Sequence, residues 1–372
     1  MYDNRKRILT ILIVIALVFS FFTIYISSAQ KDGLSARAAT LYVPETNTFL
    51  YEKNENERLS MASTTKIMTA LIALESLECD TLIEIPKAAT GIEGSSLYLS
   101  EGEILTAESL IYGLMLGSAN DAATALALEI SGSLEEFASL MNERAKSLGL
   151  KDTNFKNPHG LDAEGHYTTA HDLAIIAAEA LKNEKFKEIS SCYKKEIESS
   201  EKTRLVVNHN KLLKSYDGCI GMKTGYTKKS GRSLVSAAER DGLTLIAVTI
   251  DAPDDWRDHT ELLDLGFSLL ENKTLAKAYE YSFTLPVIDG EKSSVTVSNK
   301  EGASEILNKN DSDFDVKIKL NRYFAAPIKK GDALGELIFT KDGKELARLS
   351  LTADFDVNKN TRKGFFSFSK RD

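Results

Sequence analysis

Ala62-Ser63-Thr64-Thr65-Lys66-Ile67-Met68-Thr69-Ala70-Leu71-Ile72-Ala73-Leu74 is the stretch on which the reading of this chain turns. It is rich in alanine and apolar residues and free of Gly and Pro, which predicts a helix from Ala62 to about Glu78 with Ser63 in its first turn. Residues three apart share a helix face, so the Ser63 hydroxyl stands beside the Lys66 amine, a nucleophile next to a base. In a first turn the orphan backbone N–H groups and the positive end of the helix dipole point at whatever the serine attacks. The same four-residue pattern recurs at Ser28/Lys31, Ser191/Lys194, Ser199/Lys202 and Ser367/Lys370, but none of those opens a comparable apolar helix.

The chain around it has 372 residues, 43% hydrophobic and 27% charged, long enough for one large domain and a smaller one. Arg5-Lys6-Arg7 precede an apolar run from Ile8 to about Ile26, and Ser27-Ser28-Ala29-Gln30 follow. Basic residues, an apolar core and small residues form an export signal with a cleavage position after Ala29; the run is also nearly long enough to stay as a membrane anchor. Both readings place the remainder outside the cytoplasm. Residues 1–29 and 359–372 are basic, and the body between them carries about −14 of the net −8, which repels nucleic acid as a partner. Cys79, Cys192 and Cys219 are too few for a disulfide framework and read first as small buried hydrophobes, with one bridge possible.

Ala38–Val43 and Thr48–Tyr51, separated by Pro44-Glu45-Thr46-Asn47, predict a β-hairpin. Leu82–Ile85 reads as a short strand and Leu105–Leu116 as a helix ending at Gly117. Ser118-Ala119-Asn120-Asp121 then leads into a helix from Ala122 to about Ile130, which Asn120 or Asp121 would cap. Helices are expected over Leu134–Leu148 and Ala170–Lys182, with a loop from Lys151 to Thr169 between them. From Lys194 the period shortens, and strands are expected at Val206–Val207, Cys219–Gly225, Ser233–Ala238 and Leu243–Ile250, the last two joined at Asp241-Gly242. A sheet with an edge near Lys223 results, covered by an amphipathic helix from about Asp258 to Leu275. Past Tyr279, short alternating runs such as Ser294–Val297, Phe314–Leu320, Ala333–Phe339 and Glu345–Leu351 predict a small all-β module.

Three motifs now stand in order: Ser63-x-x-Lys66, Ser118-x-Asn120 and Lys223-Thr224-Gly225, the last occurring once. The set resembles the penicillin-recognising serine enzymes. Ala39-Thr40-Leu41 with Leu50–Asn54, His159-Gly160-Leu161-Asp162 with Tyr167–Ala170, Asn208-His209-Asn210-Lys211-Leu212-Leu213 and Ala326–Gly331 extend the likeness, over about 34–355, to the low-molecular-mass D-alanyl-D-alanine carboxypeptidases. That resemblance implies an α/β (α+β) transpeptidase-like domain with a five-stranded-type antiparallel sheet and a helical cluster, followed by a small all-β domain. The expected organisation is 1–29 signal or anchor, 30–278 peptidase, 279–358 β-rich domain and 359–372 basic-aromatic tail. It implies Ser63 as the acyl-enzyme nucleophile, Lys66 as general base and Ser118 as proton relay. Asn120, Lys223, Thr224 and Gly225 bind substrate, and the backbone N–H groups of Ser63 and Tyr226 form the oxyanion hole. Tyr226 stands where many relatives carry His; the backbone donor is unaffected. Read from chemistry alone, Lys66 needs a lowered pKa, which burial and a second cation at Lys223 both favour.

The implied substrate is a peptidoglycan stem peptide ending in D-Ala-D-Ala, with β-lactam antibiotics as inhibitors. A β-lactamase shares the three motifs but is expected to carry Glu-x-x-Leu-Asn before Lys-Thr-Gly; none is present, and Glu164 in its glycine-flanked loop is a poor stand-in. A non-catalytic receptor would suit a retained N-terminal helix, but only seven residues precede the apolar run. The tail Lys359–Arg371 is basic and aromatic but broken by Gly364, so membrane attachment is expected through residues 8–26. His159, His166, His171, His209 and His259 show no metal-ligand spacing, and no cofactor is expected.

Overall fold

The computed structural model describes residues 33–311 and 313–361; the N-terminal apolar run and the tail beyond residue 361 lie outside the described residues. Two compact units divide the chain. One holds the residues up to Arg240 with Thr244–Gly266, the other Asp241–Leu243 with the chain from Phe267 onward.

In the first unit β1 (Ala38–Val43) and β2 (Thr48–Lys53) form the expected hairpin, turned by Pro44–Thr46 and by Asn47 at φ 51°. The helix α1 (Lys66–Ser76) follows, then β3 (Leu82–Glu84) and β4 (Ile104–Thr106), which pair with each other. Five helices come next: α2 (Ala107–Leu116), α3 (Asn120–Ser131), α4 (Leu134–Ser147), α5 (Ala170–Leu181) and α6 (Glu184–Ser191). β5 (Lys194–Glu198) and β6 (Thr203–Val207) form a separate hairpin, and α7 (Leu212–Ser215) is a single turn. The unit is completed by β7 (Cys219–Gly221), β8 (Thr224–Thr227), β9 (Gly231–Arg240), β10 (Leu243–Ile250) and α8 (Asp255–Leu269), whose last residues belong to the second unit.

The main sheet is antiparallel in the order β2-β1-β10-β9-β7, with β8 also paired to β9. Five positions hold six strands because the edge strand expected over Cys219–Gly225 is broken at Met222, whose φ is 89°. α1 is buried from Lys66 to Ala73 among α2, α3 and α5. Burial of each large apolar side chain such as Ile67, Met68 or Leu71 stabilises by roughly 1.5–3 kcal/mol, so the helix that follows Ser63 is a central element of the core.

Three local readings are corrected. The first turn of the Ser63 helix is a 3₁₀ turn over Ala62–Thr65, and α-helix begins at Lys66. Neither Asn120 nor Asp121 caps α3, which starts after Ala119 without a side-chain cap. Asp121 instead accepts from Ser96 Oγ (2.6 Å) and from the N–H groups of Leu97 (3.0 Å) and Leu99 (3.1 Å), shaping the loop before β4. α8 ends at Leu269 rather than near Leu275, because pairing with a strand of the second unit overrides local helical propensity. α6 and β5 had no counterpart in the sequence reading.

The second unit is all β. β11 (Leu270–Ala276) pairs with β14 (Ala303–Asn308), while β12 (Ser282–Ile288), β13 (Ser294–Asn299), β15 (Asp315–Leu320), β16 (Phe324–Ala325), β17 (Ala333–Lys341) and β18 (Lys344–Ala353) form a sheet ordered β15-β17-β18-β13-β12-β16. Val295, Val297, Leu337, Phe339 and Leu351 fill its core.

In the first unit the β5–β6 hairpin is fastened to the loop that Asp121 shapes. Arg204 sets Nη1 2.5 Å from Oε1 and Nη2 2.8 Å from Oε2 of the buried Glu103, and donates from Nε to Leu97 O (2.8 Å). Burial alone would raise the Glu103 carboxyl, but hydrogen bonds from Arg204, Ser199 and the Ser100 N–H outweigh it and hold it at about 2. Arg204→Ala leaves that carboxylate buried and uncompensated, so urea unfolding should show a loss of about 3 kcal/mol. The folded-state pKa is depressed, so the wild type has this stability above about pH 4.5 and loses it toward about pH 2. A wild-type unfolding midpoint in the variant would refute this account.

Candidate active site

Ser63 stands in the 3₁₀ turn just ahead of α1, and the backbone before it is forced into an unusual shape. Ala62 has φ 46°, a conformation that costs a non-glycine residue on the order of 1–3 kcal/mol and persists where surroundings over-determine it. Two surroundings do so. Gly160, at φ 86°, lies so close that a Cβ there would sit 2.0 Å from Ala62 O. Thr65 Oγ1 donates to that carbonyl (2.8 Å) and is 2.8 Å from His166 Nε2. His166 Nδ1 accepts from the Lys156 N–H (2.9 Å), so Nε2 carries the proton and donates to Thr65. Burial pushes this imidazole down to about 4 and keeps it neutral.

Lys66 is fully buried, and its Nζ has three partners: Ser63 Oγ at 3.0 Å, Asn120 Oδ1 at 2.7 Å and His159 O at 2.5 Å. The amide and carbonyl oxygens can only accept, so they take two hydrogens of the amine. Asn120 Nδ2 donates to Glu93 O (2.5 Å), which fixes the amide's orientation. The third partner, a hydroxyl, can donate or accept. An unprotonated Lys66 therefore keeps two donor bonds and turns its lone pair to the Ser63 O–H. Burial, then the positive charge of Lys223, hold the Lys66 pKa well below its usual value, against an opposing pull from Asp121. Lys223 is itself buried and brought to about 7 by desolvation, with Nζ donating to Thr224 O (3.0 Å).

Ser63, Ser118, Thr224, Gly225 and Tyr226 line one cavity of about 710 Å³. Ser118 has φ 58° at the turn between α2 and α3. The motif serine reaches the cavity wall, but of Ser118 and Asn120 it is Asn120 that Lys66 bonds. Gly225 lies against the turn of Ser63: a Cβ there would meet Ser63 N at 3.1 Å and Met61 O at 3.2 Å. Lys223 and Val235 exchange both backbone bonds (3.0 and 2.9 Å), so the alternation of the antiparallel ladder turns the N–H groups of Thr224 and Tyr226 away from β9.

All the motif residues thus converge in one unit. Sequence reasoning did not assign a role to His166, Thr65 or the His159 carbonyl, nor to Tyr193, Lys214, Arg232, Asp255 and Trp256 on the cavity wall. The likeness around His159–Asp162 and Asn208–Leu213 marked their neighbourhoods without their contacts. Cys79, Cys192 and Cys219 are free and only half-buried. Among the described residues no group of His, Cys, Asp and Glu is arranged to hold a metal, and no helix is long and apolar enough to cross a membrane.

A family model described as D-alanyl-D-alanine carboxypeptidase matches residues 26–254, and one described as penicillin-binding protein 5, C-terminal domain, matches 270–359. The D-alanyl-D-alanine carboxypeptidase DacF of Bacillus subtilis is 36% identical over 98% of this chain and 97% of its own length, and DacC of Escherichia coli is 33% identical over 91% and 87%. The crystal structure of penicillin-binding protein 5 from Haemophilus influenzae superposes with a TM-score of 0.65 at 28% identity, covering 89% of this chain and 100% of that one. With a mixed α/β unit carrying an antiparallel sheet and an all-β unit after it, the chain belongs to the D-alanyl-D-alanine carboxypeptidase family of serine peptidases.

Proposed function

We propose that Ser63 carries the acyl-enzyme through which this carboxypeptidase removes the terminal D-alanine from peptidoglycan stem pentapeptides. The supporting observation is the 3.0 Å approach of Lys66 Nζ to Ser63 Oγ while its other two contacts are acceptors. Neutral Lys66 takes the hydroxyl proton as Oγ bonds to the carbonyl carbon of the D-Ala-D-Ala peptide. The resulting oxyanion is held by the N–H groups of Ser63 and Tyr226, where loss of one such donor typically costs on the order of 10²–10³ in rate. As the C–N bond breaks, the proton passes from Lys66 by way of Ser118 to the leaving amine of D-alanine. Water then adds to the ester, giving a proton to Lys66, and the released Ser63 oxygen takes it back. β-Lactams acylate Ser63 by the same first step.

Lys223 and Thr224 hold the terminal carboxylate, and Gly225 lets the substrate lie along β8 as an added strand. Asn120 keeps a second Nδ2 hydrogen for the peptide backbone. His166 is a positioning residue, holding the turn of Ser63 through Thr65. Residues 1–29 deliver residues 30–278, the peptidase, to the outer face of the cytoplasmic membrane or into the wall. Residues 279–358 form the β-rich domain and 359–372 a basic-aromatic tail; a mature chain starting at Gln30 on mass spectrometry means that the apolar run is removed.

Incubation with a D-Ala-D-Ala peptide tests the reading: the wild type should release D-alanine and Ser63→Ala should release none. Stable acylation by penicillin without peptide turnover would overturn it. Lys223→Ala removes a positive charge that favours neutral Lys66, so the Lys66 pKa rises and the ascending limb of the acylation rate moves to higher pH. Weaker carboxylate binding with an unmoved limb refutes the coupling. His166→Ala should slow acylation by penicillin roughly 10–100-fold by loosening the nucleophile's turn. His166→Gln, able to accept from Lys156 and donate to Thr65, should recover most of the rate; an Ala variant at the wild-type rate excludes the role.

A further inference from the structure

The wall of the cavity away from Ser63 has a character that the catalytic reading does not use. A cavity of about 710 Å³ suits a ligand of drug size, several peptide residues rather than the D-Ala-D-Ala end alone. Along that wall Lys211 Nζ stands 5.9 Å from the centre of the Trp256 ring, Arg232 Cζ stands 5.6 Å from the same ring, and Lys214 Nζ lies 3.7 Å over the ring of Tyr193. Arg232 is committed to the buried Asp255, with Nη2 2.9 Å from both carboxylate oxygens. Among the described residues neither Lys211 nor Lys214 meets a carboxylate; aromatic faces hold them instead. In a chain of net charge −8, cations gathered at one cavity focus an attractive field on anions.

The segment that carries these lysines is held in place from beneath. Asn208 Nδ2 donates to Ser190 O (3.1 Å) and Cys192 O (3.2 Å), and its Oδ1 accepts from the Asn210 N–H (2.9 Å). Asn210 Nδ2 donates to Gly221 O (2.8 Å) and its Oδ1 accepts from the Leu212 N–H (3.0 Å). Both asparagines are buried, which leaves His209 and Lys211 on the cavity side, and Lys214 is one turn on from Lys211 along the same face of α7. The terminal carboxylate of the substrate engages Lys223 and Thr224, so it does not account for this second positive cluster.

Resting on the reading of the site given above, we infer that the cavity selects stem peptides bearing a second free carboxylate on the residues ahead of D-Ala-D-Ala, through Lys211 and Lys214. The same peptide with that group as an amide is the poorer substrate.

Two synthetic peptides ending in D-Ala-D-Ala, identical except for free carboxylates or isosteric amides on the preceding residues, test this by kcat/KM for D-alanine release. The wild type should favour the carboxylate peptide about fivefold at low salt, mainly through KM, and lose the preference in about 1 M salt, where screening acts over roughly 3 Å. The charge reversal K211E/K214E, its fold checked by circular dichroism, should prefer the amide. Equal kcat/KM in the wild type, or a preference that survives charge reversal, overturns the inference alone. No D-alanine from either peptide overturns the carboxypeptidase reading, and the inference with it.

Discussion

A lysine amine sealed from water, with a hydroxyl as one of its three partners, is the constraint on which the rest of the catalytic unit depends. Burial makes the charged form of Lys66 expensive, and Lys223 makes it more so; the neutral form stays fully bonded because Asn120 and the His159 carbonyl accept its two hydrogens. Those acceptors come from different places, the start of α3 and the loop ahead of α5. Helix α1, helix α3 and that loop must therefore hold register to within a hydrogen-bond length. The close apolar packing around Ile67, Met68, Leu71 and Ile72 of α1 supplies this rigidity, since a close-packed core transmits small displacements rather than absorbing them.

The turn of Ser63 is held in a similar way from two sides. Gly160 comes against Ala62 from the loop and Gly225 comes against Ser63 from the sheet edge, and at both places a side chain would collide with backbone or crowd it. The Thr65–His166 chain then ties the Ala62 carbonyl to the loop backbone at Lys156. A residue at φ 46° next to Ser63 is strain that three neighbouring segments share.

Much of this was legible in the chain. Apolar pattern and turn residues located the first hairpin, α1, α2, α4, α5, the β9–β10 hairpin and β13, β15, β17 and β18 of the β unit, because those elements obey local periodicity. The three motifs located the residues that converge on the cavity. What escaped depended on distant partners. The end of α8 was read six residues too far because Leu270–Ala276 pairs with β14, and next to the break at Met222 Gly221 presses on Ser190 near the end of α6, where a Cβ would come within 1.9 Å of its carbonyl. Asn120 looked like a helix cap because its local setting is that of one; its bond to Lys66 spans 54 positions. His166 carries no motif signature, and its tautomer is set by the Lys156 N–H ten residues away.

The break in the edge strand resolves two demands that a continuous strand would set against each other. β7 must be fastened, and it is, by α6 through Gly221 and by Asn210 through the Gly221 carbonyl. On the proposed reading β8 must keep its outer N–H groups for a substrate, which leaves an unpaired edge of the kind that invites association with any extended chain. Here that edge forms a wall of the cavity, with Ser63 against Gly225 and cations farther along the lining. A passing strand would have to enter the cavity and bring negative charge with it to pair there. The exposure that makes an edge strand a hazard elsewhere becomes, on the proposed reading, a filter for extended, anionic peptide ends.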